Sequence, residues 1–179
     1  MRADKNGWFS GVRKIASPNH DHRPPGTRID MLVIHNISLP PDQFGGKGIA
    51  DFFCNRLDTT THPYYEQLKD VRVSSHFLIR RDGGIIQFVP CVQRAWHAGV
   101  SNWLGRTRCN DFAIGIELEG SDFVPFEHAQ YASLARLTRY LQRTYPIRSI
   151  VGHSDIAPGR KTDPGAFFDW PRFRSAISL

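Results

Sequence analysis

The segment FAIGIELEG, residues 112–120, shows the alternation of a β-strand whose two faces differ. One face of such a strand carries three aliphatic side chains, and the other carries a glycine and two carboxylates, Glu117 and Glu119. A carboxylate on an otherwise apolar strand either reaches solvent or belongs to a functional site. The alternation therefore predicts both a core strand and a candidate acidic group, without choosing between the two glutamates.

The remaining segments predict a single α/β domain over residues 1–179, with a mixed central β-sheet flanked by helices. The clearest helix covers residues 127–145, where apolar side chains recur at helical spacing until Pro146. Asp82-Gly83-Gly84 between two apolar runs predicts a β-hairpin. Further predicted elements are strands in 28–38 and 147–155, short helices in 49–57 and 170–177, and loops over 39–48, 58–70 and 94–111.

Composition excludes several classes of protein. The 179 residues have an ordinary apolar and charged content, and no apolar run reaches the roughly 20 residues of a membrane span. The N-terminus lacks the apolar stretch of a secretory signal, so we expect a cytoplasmic protein. The three cysteines are isolated and odd in number, which argues against disulfides and a thiolate zinc site. The net charge of +6 comes from scattered residues, which fits an anionic small ligand as well as nucleic acid.

The segment VGHSDIAPGRKTDPG, residues 151–165, is too interrupted for a helix and too polar for a core strand. Loops of this composition hold either a solvated turn or a functional site. His153 and Asp163, joined by His35 at the end of the first core strand, form a possible ligand set for a catalytic zinc ion. Spacing alone leaves this set as one of many combinations, because the chain contains eight histidines.

Two further residue types would complete a hydrolytic centre. A carboxylate facing a zinc-activated water would serve as general base, and Glu117 and Glu119 are equal candidates on the strand pattern. The ammonium group of Lys161 would stabilise the oxyanion that forms during attack on a carbonyl.

Several blocks of the chain, in order, resemble the AmpD family of cytoplasmic N-acetylmuramoyl-L-alanine amidases, which act on 1,6-anhydro muropeptides. This family belongs to the zinc amidases related to T7-type lysozyme and peptidoglycan recognition proteins. The resemblance covers about residues 7–175 and rests on the blocks LVIHNISLPP, FGG, HPYY, RVSSHFLIRRDG, RAWHAGVSNWLGRTRCNDFAIGIELEG and GHSDIAPGRKTDPG.

The resemblance implies an amidase fold like that of peptidoglycan recognition proteins, with Zn²⁺ as cofactor and an anhydro-muramyl peptide as substrate. It implies hydrolysis of the amide between N-acetylmuramic acid and L-Ala, in cell-wall muropeptide recycling. By position it assigns zinc binding to His35, His153 and Asp163, catalysis to Glu117 and Lys161, and substrate binding to Asn36, Arg72, Trp96 and Arg108.

Three alternatives differ from this interpretation in class or compartment. They are a recognition protein that binds muropeptide without cutting it, a basic nucleic-acid-binding protein, and a periplasmic amidase acting on intact murein. The complete set of five metal-binding and catalytic residues favours the enzyme over the first, and the missing export signal argues against the third. We therefore expect a monomeric enzyme that binds neither nucleic acid nor membrane.

Overall fold

A computed structural model describes residues 1–178. Ten strands occur in this part of the chain: β1 (Arg13–Lys14), β2 (His20–His22), β3 (Met31–Ile37), β4 (Phe77–Ile79), β5 (Ile85–Gln87), β6 (Gln93–Ala95), β7 (Asn102–Trp103), β8 (Arg106–Thr107), β9 (Ala113–Glu119) and β10 (Ser149–Gly152). The helices described are α1 (Gly48–Phe53), α2 (His128–Thr144), α3 (His153–Ile156) and α4 (Trp170–Ile177), with 3₁₀ turns at Pro63–Leu68 and Cys109–Asp111.

Six of the strands form one mixed sheet in the order β1-β5-β4-β9-β3-β10. The four strands from β4 to β10 run parallel, whereas β4 and β5 form an antiparallel hairpin. The predicted single domain with a mixed sheet and flanking helices is confirmed. The predicted hairpin is confirmed as well: Gly83 at its turn has a φ of +82°, a conformation that glycine adopts without strain.

The two faces of the sheet differ as the alternation in β9 predicts. The aliphatic side chains of β9 pack with those of β3 against α2 and α4, in a core that contains Ile34, Ile116, Leu134 and Phe173. On the opposite face, Gly115 and Glu117 lie next to His35, because β3 and β9 pair with His35 level with Glu117. One side of the sheet therefore packs on α2 and α4, whereas the other combines smaller hydrophobic clusters with the polar groups His35 and Glu117.

Two predicted loops contain more regular structure than expected. The segment 94–111 includes β7, β8 and a 3₁₀ turn, and the segment 58–70 includes the 3₁₀ turn Pro63–Leu68. These elements are two to six residues long, which is too short to give a periodic pattern. His153, expected at the end of a strand, instead starts the four-residue helix α3 directly after β10.

Glu119, the second glutamate of β9, is held by two loops. It is 2% exposed and forms an ion pair with Nε of Arg80 at 3.2 Å. Its two oxygens also accept the backbone N–H groups of Gly45, at 2.7 Å, and of Arg81, at 3.1 Å. This carboxylate therefore stabilises the segments around Gly45 and Arg80. Within residues 1–178, no helix combines the length and hydropathy needed to cross a membrane.

We expect Glu119→Gln to lower the free energy of unfolding by about 2–4 kcal/mol, because the buried carboxylate and its charged partner Arg80, which is 17% exposed, lose their ion pair. Urea denaturation of the purified protein measures this change. Glu127→Gln is the matched control, since Glu127 pairs with Arg81 but is 53% exposed, and we expect it to cost less than about 1 kcal/mol. Equal losses in the two variants would contradict a structural role specific to Glu119.

Candidate metal centre

Three side-chain atoms converge at one point above the C-terminal ends of β3 and β10. Nδ1 of His35 lies 3.1 Å from Nδ1 of His153, and Oδ2 of Asp163 lies 3.0 Å and 3.1 Å from these two nitrogens. Ligand atoms about 2.0 Å from a tetrahedral ion are about 3.3 Å apart, so this triangle is close to three corners of a tetrahedral site. The cluster is therefore compatible with a bound metal ion.

The sheet places the two histidines together. His35 lies near the end of β3, and His153 follows the last residue of β10, Gly152, which pairs with Ile34 on β3. Parallel neighbouring strands end at the same edge of a sheet, so the two imidazoles meet although they are 118 positions apart in the sequence.

Asp163 is brought to the histidines by its loop. Its carbonyl oxygen accepts the N–H of Ser154 at 3.0 Å, which fixes the loop against the start of α3. Nδ2 of Asn36 donates to the next carbonyl, that of Pro164, at 3.1 Å, and to Oδ1 of Asp122 at 2.7 Å. The predicted ligand loop is thus anchored at Asp163 itself and at the following residue, Pro164.

The charge states of the cluster suit a cation. Burial would raise the pKa of Asp163, but hydrogen bonds with His153 and His35 outweigh it, and the net pKa lies below the ordinary value. The pKa of His35 lies below its ordinary value, and burial, which disfavours the charged imidazolium, is the main cause. An ionised carboxylate and neutral imidazoles are the forms that bind metal.

Glu117 is the free carboxylate beside this cluster. It is 7% exposed, lies level with His35 on the neighbouring strand, and its Oε2 has no hydrogen-bond partner among residues 1–178. Burial raises its pKa well above the ordinary value, Asp163 raises it further, and Lys161 acts in the opposite direction. Because both oxygens of Glu119 are occupied, only one of the two glutamates of β9 is available for proton transfer.

The cluster lies at the floor of an open cavity of about 580 Å³. Lys161, Asn36 and Trp96 line it, as their predicted roles require, and the aromatic rings of Tyr64 and Phe123 are also on the wall. The wall is therefore partly aromatic, and it carries both cationic side chains and the carboxylates of Asp42 and Asp122.

The predicted substrate-binding arginines, Arg72 and Arg108, are not among the residues that line this cavity in the described chain. Arg72 donates to the backbone carbonyls of Lys69 and Val71, and Arg108 forms an ion pair with Asp111. Both are exposed, and their contribution to substrate binding stays a prediction.

Among the cavity residues that the sequence did not identify, Arg160 and His97 have polar contacts near the cluster. Arg160 donates from one terminal nitrogen to the carbonyls of Ala98 and Val100, at 2.8 Å and 2.7 Å, and the residue is exposed. Nδ1 of His97 lies 3.0 Å from Nε2 of His35. The Arg160-Lys161 pair in the predicted functional segment is a sequence signal that could have identified Arg160. Nothing in the sequence around His97 indicates that its ring contacts His35, which is 62 positions away.

Comparison with known proteins places this geometry in context. Residues 25–166 match the family model described as N-acetylmuramoyl-L-alanine amidase. The chain is 52% identical to the 1,6-anhydro-N-acetylmuramyl-L-alanine amidase AmpD of Salmonella typhimurium (strain SL1344), over 100% of this chain and 96% of the relative. A crystal structure of a selenomethionine derivative of AmpD is similar with a TM-score of 0.96 and 51% identity, over 99% of both chains.

A more distant structure was solved with a ligand. AmiD from Escherichia coli, in complex with the substrate anhydro-N-acetylmuramic acid-L-Ala-D-γ-Glu-L-Lys, is similar with a TM-score of 0.61 and 35% identity. The match covers 97% of this chain and 65% of that one.

We expect Glu117→Gln to stabilise the metal-free protein at pH 7.5. The pKa of Glu117 is raised in the folded state, so this group favours folding below its unfolded pKa, near 4.5, and disfavours it as pH rises toward the folded value. Removing the ionisable group should therefore raise the urea midpoint at pH 7.5, with a smaller difference at pH 5. A lower midpoint at pH 7.5, in the direction expected for Glu119→Gln, would contradict this.

Proposed function

We propose that this chain, which belongs to the N-acetylmuramoyl-L-alanine amidase family, hydrolyses the amide between 1,6-anhydro-N-acetylmuramic acid and L-Ala in muropeptide recycling. The observation that supports it most is the triangle formed by His35, His153 and Asp163, placed next to the free carboxylate of Glu117 on a cavity floor. A relative with 52% identity over the whole chain carries this activity in its name.

We assign Zn²⁺ to the triangle. Two imidazole nitrogens and one carboxylate oxygen are a typical catalytic zinc set, whereas calcium and magnesium prefer oxygen ligands alone. When bound, zinc supplies Lewis acidity, which makes a water molecule more acidic and polarises the scissile carbonyl.

Glu117 is the group that moves the proton. Its unpartnered Oε2 is free to take a proton from the attacking water and to return it to the amine of L-Ala as that amine leaves. A raised pKa suits this role, because a stronger base takes up the proton more readily.

Lys161 lies on the cavity wall, close enough to affect the ionisation of Glu117. Its ammonium group is placed to stabilise the negative charge that develops on the carbonyl oxygen during attack. Because the residue is exposed, the side chain can follow the substrate as it binds.

The cavity wall provides contacts for both halves of the substrate. Trp96 offers an apolar surface to the sugar, and the remaining amide oxygen of Asn36 can accept a hydrogen bond from it. Arg160 carries a positive charge at the wall, and we assign the exposed side chains of Arg72 and Arg108 to the carboxylates of a longer stem peptide. Guanidinium groups bind carboxylates through paired hydrogen bonds.

We further propose that the protein acts as a monomer in the cytoplasm, on small soluble muropeptides, without binding nucleic acid or membrane. The net charge of +6 then serves the capture of anionic stem peptides.

Removal of the ion and removal of the base should give distinguishable results. Treatment with a chelator should abolish hydrolysis, and added Zn²⁺ should restore it. Glu117→Gln should keep one zinc per chain, by metal analysis, and lose about 10²–10⁴-fold in kcat. Full activity after verified metal removal would refute the zinc assignment, and normal turnover by Glu117→Gln would place the base elsewhere.

Digestion of a mixture of anhydro and ordinary muramyl tripeptides tests the substrate assignment. We expect mass analysis to show loss of the anhydro species first, with release of anhydro-muramic acid and free tripeptide. Intact murein sacculi are the comparison substrate. Faster solubilisation of sacculi than hydrolysis of the tripeptides would contradict a role in recycling.

A further inference from the structure

The two metal-facing histidines share one supporting segment, His97–Ala98, on the side away from the triangle. Nε2 of His35 lies 3.0 Å from Nδ1 of His97, and Nε2 of His153 lies 3.1 Å from the carbonyl oxygen of Ala98. Consecutive residues of one chain segment therefore contact the outer nitrogen of both imidazoles.

The side chain of Asn110 holds this segment at two consecutive backbone N–H groups. Oδ1 of Asn110, in the 3₁₀ turn after β8, accepts the backbone N–H of His97 at 3.1 Å and that of Ala98 at 2.8 Å. A second contact comes from Arg160, which donates to the carbonyl of Ala98. Asn110 thus holds the backbone N–H groups of the segment His97–Ala98. The ring of His97 and the carbonyl of Ala98 contact the two metal-facing histidines.

The ring of His97 packs against strand β9 at Gly115, a position without a side chain. A Cβ atom on Gly115 would lie 2.5 Å from Cγ of His97 and 2.7 Å from its Nδ1. Any side chain at this strand position would push the ring away from His35. The glycine within the core strand β9 is therefore explained by the imidazole that lies against it.

The hydrogen-bond contacts of His35 and His153 indicate which ring nitrogen of each histidine carries the proton. A carbonyl oxygen only accepts, so His153 donates from Nε2 to Ala98 and keeps a lone pair on Nδ1, facing the triangle. For His35 to offer Nδ1 in the same way, its proton must lie on Nε2, and Nδ1 of His97 is the acceptor within reach. His97 then carries its own proton on Nε2, a buried atom without a hydrogen-bond partner among residues 1–178.

We propose that His97 and Asn110 are positioning residues of the metal centre. Together they hold the segment His97–Ala98 so that both imidazoles bind the ion through Nδ1. This inference rests on the zinc site of the proposed function. Partners of this kind set the orientation and tautomer of ligand histidines, and their loss typically weakens metal binding 10- to 100-fold.

Zinc affinity of the full chain, measured by competition with a chromophoric chelator, tests the proposal. We expect His97→Phe and Asn110→Leu to bind zinc at least about 10-fold more weakly than the wild type. His97→Asn should recover most of the affinity, because its Oδ1 can accept near the position of Nδ1, and Asn110→Asp should do the same. His128→Asn, at an exposed position, is the control.

A measurement on the zinc-loaded wild type keeps the proposal testable if a variant does not fold. ¹⁵N NMR of the histidine rings should show protonated Nε2 on both His35 and His153. Protonation of either at Nδ1 would overturn the proposal, as would wild-type affinity in a folded His97→Phe. A wild-type chain that binds no zinc would instead refute the metal site of the proposed function.

Discussion

The parallel pairing of β3 with both β9 and β10 is the constraint on which the rest of the site depends. It sets His35 level with Glu117 on one side and next to the start of α3 on the other. A shift of one residue in either register would turn a reactive side chain into the α2 core. The aliphatic face that packs on α2 thus fixes the positions of His35 and Glu117, the proposed site residues of these strands, on the opposite face.

The two glutamates of β9 show how one strand face can serve stability and chemistry at once. Glu119, at the end of the strand, has an arginine and two backbone N–H groups as partners. Glu117, two residues earlier, is buried with an unpartnered oxygen and a raised pKa. Such an uncompensated group is unfavourable for folding, which is the usual cost of a functional site.

The sequence predicts the strong periodic elements, because hydrophobic alternation determines which way a strand faces. It offers His35, His153 and Asp163 only as one of many possible metal-binding sets, which the family resemblance then selects. It does not distinguish Glu117 from Glu119 without the family resemblance, since their partners come from loops distant in sequence. His97 and Asn110 escape sequence reasoning for the same reason. Their contacts arise from irregular segments, where the backbone path is determined by individual hydrogen bonds rather than by a repeating pattern.

The ligands of the triangle come from distant parts of the chain: His35 is separated from Asp163 by 128 positions. An ion bound there acts as a cross-link between the first core strand and the C-terminal loop. It closes a loop of most of the polypeptide and stabilises the folded state by mass action. Metal starvation in the cell would then lower the free energy of unfolding and shorten the lifetime of the protein, because the unfolded chain is the form that proteases cleave.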